Sequence, residues 1–234
     1  MLDAKRLMDQ FLGGQGGQGG GDFLRGAGGG ALAGGLAALV LGTKTGRKIG
    51  GEALKLGGMA AVGALAYKAY NDWQAGKKAA APQEAAGQPS VPMLPAPSGT
   101  PFNPATEFGQ QNLARHLLRA MIPAAKSDGH VDAEEQARIF AEMDKLPLAV
   151  DDKAFVMDEL RAKLDIDAVA GAASTPEEAA EIYAASLLAI NVDSAAERGY
   201  LAMLAARLKL DDVLVAHLHG NVAATTGKSV PVAA

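Results

Sequence analysis

The chain has no cysteine among its 234 residues, which excludes disulfides, thiolate metal sites and cysteine nucleophiles and leaves the compartment open. Aromatic residues are scarce at 5%, and the formal net charge is −4. An acidic chain with few aromatic platforms binds nucleic acid poorly, so no nucleic-acid partner is expected. Walker loops, nucleophile elbows and zincin motifs are all missing, and the expectation is a protein that is not an enzyme, with no catalytic residues. Nowhere does a strand-length segment alternate apolar and polar residues, which removes the signal for a sheet.

What is present divides into unlike parts. Residues 1–80 hold ten Lys and Arg against five Asp and Glu, a balance of +5, and 21 of the 29 glycines; the remainder carries −9. A basic Gly/Ala-rich arm joined to an acidic body suggests attachment by one part and a folded domain in the other. Residues 1–25 begin with Leu2, Leu7, Met8, Phe11 and Leu12 among charged residues, an amphipathic helix suited to a surface or a partner. The Gly/Gln tract Gly13 to Gly21 then reads as a spacer, in which the Gly14, Gly16, Gly19 spacing is a chance match to a dinucleotide fingerprint, since no strand precedes it.

Residues 26–78 read as apolar Gly/Ala helices that associate with a membrane. Eighteen uncharged residues separate Arg25 from Lys44; as a helix they would extend about 27 Å, close to the bilayer core. Gly26, Gly30 and Gly34, and again Gly42, Gly46 and Gly50, form four-residue ladders that let helices approach closely in lipid, a route to self-association. A second run, Leu56 to Tyr67, is followed by Tyr70 and Trp73, which with Tyr67 have the spacing of an interfacial aromatic belt. The alternative is a soluble Ala/Gly hairpin packed on itself or on a partner. Most basic residues follow the first run, so a single span would leave the C-terminal domain in the cytoplasm.

Residues 79–106 hold seven of the eleven prolines and read as an extended linker. Residues 107–226 read as helices throughout. Leu113, Leu117 and Met121 share a face, Pro123 should kink that helix, and Gly129 supplies its C-terminal turn. Asp132 with Glu135, Thr175 with Pro176 and Glu178, Ser194 with Glu197, and Asp211 each mark a helix start. A shift of 62 lays Asp132 on Ser194 and Glu135 on Glu197, so a duplicated helix-turn-helix bundle is expected: all-α, with the two joints close together.

The stretch Ala124-Ala125-Lys126-Ser127-Asp128-Gly129-His130-Val131-Asp132 resembles the joint of the TerB-like (tellurite-resistance type) helical domain. The layout as a whole, with Thr175-Pro176-Glu177-Glu178-Ala179 and Glu197-Arg198-Gly199-Tyr200-Leu201, is similar to the YebE family of inner-membrane proteins of unknown function. The resemblance implies a bacterial inner-membrane location, a TerB-like bundle and an association with acidic, metal-binding clusters. The second joint, Asn191-Val192-Asp193, departs from it by lacking the Asp-Gly pair, which argues against two symmetric metal sites.

Two readings of the acids follow. Asp128, Asp132, Glu135, Asp193 and Glu197 could supply oxygen ligands to Ca²⁺ or Mg²⁺, making the domain a divalent-metal accessory. Alternatively Asp132, Glu135 and Glu197 serve as caps, no cofactor is held, and the protein is a membrane-tethered interaction or sensing module with a protein partner, concerned with stress. His217 and His219, two apart on a helix, point to different sides and make no chelate. If the acids bind an ion, millimolar Ca²⁺ or Mg²⁺ should raise the melting temperature and Asp128→Asn should abolish the rise. Calorimetric titration without heat, and without stabilisation, would leave the capping reading.

Overall fold

The computed structural model describes residues 3–12, 58–78, 96–127, 150–190, 192 and 194–226. Among these residues there are eight helices and no strand, so the fold is all-α. In chain order they are α1 (Ala4–Leu12), α2 (Gly58–Lys78), α3 (Glu107–Ala125), α4 (Val150–Arg161), α5 (Ile166–Gly171), α6 (Pro176–Ala189), α7 (Ala195–Arg207) and α8 (Asp212–Thr226). None of the described helices is long and apolar enough to cross a membrane. The apolar run 26–43 and both glycine ladders lie outside the described residues.

Local chemistry sets the helix ends. Thr106 opens α3 by accepting the Gly109 N–H on its hydroxyl at 3.1 Å. Asp165 opens α5 by accepting the Ala168 N–H at 2.9 Å. Thr175 accepts from Glu178 at 3.1 Å with Pro176 in the first turn, where its missing N–H has no partner to lose. Asp211 stands before α8 and accepts from Val213 at 2.9 Å. The turn between α7 and α8 is a Schellman closure: Leu210 donates to Ala205 at 3.0 Å and Lys209 to Ala206 at 3.2 Å. Lys209 takes the left-handed φ of 55° that this closure needs.

α6 is the centre of the bundle. Every residue from Ala179 to Ala189 is buried, so apolar neighbours are required on all sides instead of along one stripe. α3 lies along one side, α2 and α8 cover others, and α7 and α5 close the rest. Small side chains permit the approach: Ser186 donates to Ile182 O at 3.0 Å and sits 3.3 Å from Ala120 O of α3. Leu201 and Leu204 of α7 and Leu214, Leu218 and Val222 of α8 join the same core.

The segments ahead of residue 107 take part in that core. α2 buries Met59, Val62, Leu65, Ala66, Ala69 and Tyr70, so the described part of the second apolar run faces protein. Tyr67, Tyr70 and Trp73, expected at a membrane interface, instead gather around a buried side chain, Phe102, whose ring is 5.6 Å from Tyr67 and 5.7 Å from Tyr70. Tyr70 and Trp73 are themselves 5.3 Å apart. The spacing is the same in both cases because amphipathic helices show it to lipid and to a core alike.

Residues 96–106, read as the end of an extended linker, fold into a compact turn. Gly99 (φ 85°) donates to Asn103 O at 2.8 Å, and Asn103 returns a bond to Thr100 O at 3.0 Å. The Asn103 amide also reaches Ala96 O at 2.9 Å. These bonds satisfy the backbone that an extended segment would leave to water, and they aim Phe102 inward. The remainder of the linker, 79–95, is outside the described residues.

The box at Ser194 is the cleanest single test of these local rules. Ser194→Ala, measured by denaturant unfolding in chelator, should lower stability by about 0.5–2 kcal/mol. An unchanged midpoint would mean that the cap carries no weight.

Candidate functional site

Of the five acids proposed from sequence, Asp128, Asp132, Glu135 and Asp193 lie outside the described residues. Glu197 is described, and its carboxylate is engaged locally. It accepts the Ser194 N–H at 2.8 Å, while the Ser194 hydroxyl accepts the Glu197 N–H at 3.1 Å, a reciprocal capping box. No group of three or more His, Asp or Glu among the described residues could hold a metal ion.

Another residue of the same joint has a role that sequence reading missed. Lys126 is buried at the C-terminal cap of α3 and sends its ammonium across to the end of α4. Nζ donates to Leu160 O at 2.7 Å and to Ala162 O at 2.6 Å, with Glu159 O at 3.4 Å. A cation at the carbonyl end of a helix satisfies orphan acceptors and opposes the negative end of its dipole. Burial pushes the Lys126 ammonium below the usual lysine range, opposed by the Glu159 charge. A Lys beside Asp-Gly suggests a turn in sequence; its long-range target carries no local signal.

The most specific docking geometry belongs to α1. Ala4, Leu7 and Met8 are fully buried, and the helix seats against α3 and α2. A nine-residue helix is too short to be stable alone. Its free N-terminal donors are met from other elements: Asp3 N–H donates to Asp152 Oδ1 at 2.8 Å, and Lys5 N–H to Gln111 Oε1 at 3.0 Å. Gln111 closes the exchange by donating Nε2 to Asp3 Oδ1 at 2.7 Å, an oxygen that also accepts the Arg6 N–H at 2.9 Å. Asp152, in the first turn of α4, is 0% exposed. The Gln111 bond, the Arg6 amide and the nearby Arg6 and Lys5 charges hold the Asp3 carboxyl below the usual range against some loss of solvation. That contribution is present above the ordinary carboxylate pKa and is lost as pH falls through the lowered value. The bundle thus reads both the apolar face and the N-terminal backbone of a short helix.

A second set of polar groups lines α6. Glu178 Oε1 is 2.6 Å from His116 Nδ1 of α3, and its other oxygen accepts the Ser174 N–H at 2.9 Å. Burial works against the Glu178 carboxylate, but the His116 and Ser174 bonds outweigh it and leave it below its ordinary range. One turn later, Glu181 is 0% exposed and neither carboxylate oxygen has a hydrogen-bond partner among the described residues. Two residues beyond, Tyr183 places its hydroxyl 2.8 Å from His219 Nε2 of α8, in the buried interior. In sequence Glu181 is one of three acids in Pro176-Glu177-Glu178-Ala179-Ala180-Glu181, where a solvated first turn is the natural reading.

These features define an all-α bundle organised on a buried, acid-bearing central helix, with an amphipathic helix from the same chain seated on its side. The chain belongs to the family described as a protein of unknown function (DUF533), whose model matches residues 26–222. It is 32% identical over 109 residues to an uncharacterized protein in the ampR 5′ region of Yersinia enterocolitica, covering 44% of this chain and 78% of that protein. No solved structure matches.

Proposed function

We propose that the protein is a non-enzymatic interaction or sensing module of the bacterial inner membrane, facing the cytoplasm, whose bundle recognises a short amphipathic helix. The observation that carries this is the seating of α1: three apolar side chains are buried while Gln111 and Asp152 bond its N-terminal backbone. Helix-in-groove recognition uses that combination, with apolar anchors for affinity and polar contacts for register. The occupant supplied by this chain is joined to α2 through residues 13–57, which include seven glycines in the nine residues Gly13 to Gly21. Such a composition suits a tether from which a helix can be exchanged for a partner's.

The finer family reading belongs to this proposal. A YebE-like layout supplies membrane attachment through residues 26–43, with glycine ladders available for self-association. A TerB-like duplication rests on the offset of 62 that lays Asp132 on Ser194 and Glu135 on Glu197.

The test empties the groove and refills it. In the full chain, Leu7→Asp with Met8→Asp removes two buried anchors; a labelled peptide of residues 1–12 should then bind at least about tenfold more tightly than it binds wild type, a difference of about 1.4 kcal/mol. If the double variant keeps its melting transition and yet shows no saturable binding, the groove is not a helix receptor.

A further inference from the structure

Glu181 has no place in helix recognition, and its surroundings are unusual for a carboxyl group. A Cβ built on Gly63 of α2 would lie 2.5 Å from the Phe102 carbonyl oxygen and 3.3 Å from Glu181 Oε1. The carboxyl therefore sits where α6, α2 and the turn carrying Phe102 come closest. Only glycine at position 63 allows that approach. No described cation is bonded to either Glu181 oxygen.

The elements packed on α6 bring several titratable groups, and among the described residues none is bonded to Glu181. From α3, His116 is bonded to Glu178 and Arg119 to Glu159, while Arg115 makes no bond to Glu181. From α2, Tyr70 lies beside Glu177 and Lys77 is paired with Asp211. α8 brings His219 to Tyr183, α7 brings Tyr200 beside Ser186, and Asp167 of α5 faces Arg207. The near charge on α6 itself, Glu178, is of like sign and repels an ionised Glu181. A buried carboxylate without partners takes up a proton in preference to keeping its charge.

We propose that Glu181 is a proton-occupied latch: its carboxyl is neutral while α2 and the Phe102 turn are seated on α6 and ionises as they lift away, so seating α2 takes up one proton. Burial, with the Glu178 charge second, holds the carboxyl well above its ordinary range in the closed bundle. The latch is therefore fully made below the unfolded carboxylate pKa and weakens as pH rises through the native value. One proton exchanged per opening changes the opening equilibrium by up to about tenfold per pH unit in that window. This sign is opposite to that of Asp3, so alkali loosens α2 and acid loosens α1. The latch stands without the helix-recognition reading and gives a sensing module a stimulus.

Hydrogen exchange of the α2 amides in the full chain, from pH 5.5 to 8.5 and corrected for the intrinsic rate, tests the proposal. Wild-type protection should fall by as much as about tenfold per pH unit. Glu181→Gln should flatten that slope and leave α2 better protected at pH 8. His116→Gln should keep the wild-type slope, because His116 is bonded to Glu178 and not to Glu181. Equal slopes in wild type and Glu181→Gln would overturn the latch, as would a slope lost in His116→Gln. The carbon-13 resonance of the Glu181 carboxyl in wild type gives a readout free of any variant: a neutral shift at pH 7 supports the latch, and an ionised one refutes it.

Discussion

The structure depends on covering α6. From Ala179 to Ala189 no side of this helix meets water, so every neighbouring face must be supplied by another element. At roughly 25 cal/mol per Å² of apolar surface removed from water, leaving one side of such a helix open would forfeit several kcal/mol. α3 alone is not enough, and neither are the helices that follow α6. This is the physical reason for the recruitment of α2: its Val62, Leu65 and Ala69 belong to the same core as Ile182, Leu187 and Leu218. α1 then covers the exposed side of α3 and α2 in its turn. The described residues of the basic arm, 3–12 and 58–78, are thus structural parts of the bundle.

Legibility from sequence follows the range of the interaction. Thr175, Ser194 and Asp211 were readable as helix starts because a cap acts over two or three residues and leaves a local pattern. Leu113, Leu117 and Met121 were readable as a buried face for the same reason of period. The all-helical class followed from both. What was not readable depends on contacts across the chain. Tyr67, Tyr70 and Trp73 have one spacing for lipid and for protein, and only Phe102, about thirty residues on, decides between them. Leu164 has the helical spacing to follow Met157 and Leu160 in an apolar stripe, yet α4 ends at Arg161 and Leu164 is 43% exposed. Of the candidate acids, only Glu197 is described, and its chemistry is the local one.

The polar chemistry of the interior reports the same hierarchy. Lys126, Asp152 and Glu181 each look like surface charges in sequence, and all three are buried. Lys126 and Asp152 have partners supplied by distant backbone, the ends of α4 and α1 respectively. Buried charges are stable in such company because hydrogen bonds replace the lost water. Glu181 has none among the described residues, and in the proposed latch a proton does the work that a partner does elsewhere. The two N-terminal elements consequently respond to protons in opposite directions, α1 through Asp3 and α2 through Glu181.

The central claim is that α1 and α2 belong to one core with the helices after residue 107. It is tested most directly by cutting the chain between them. A protease site inserted between Lys78 and Ala96, cleaved in the folded full-length protein, should yield two pieces that co-migrate on native size exclusion and unfold in one transition. Pieces that separate, with residues 107–234 keeping the melting temperature of the intact chain, would contradict the account.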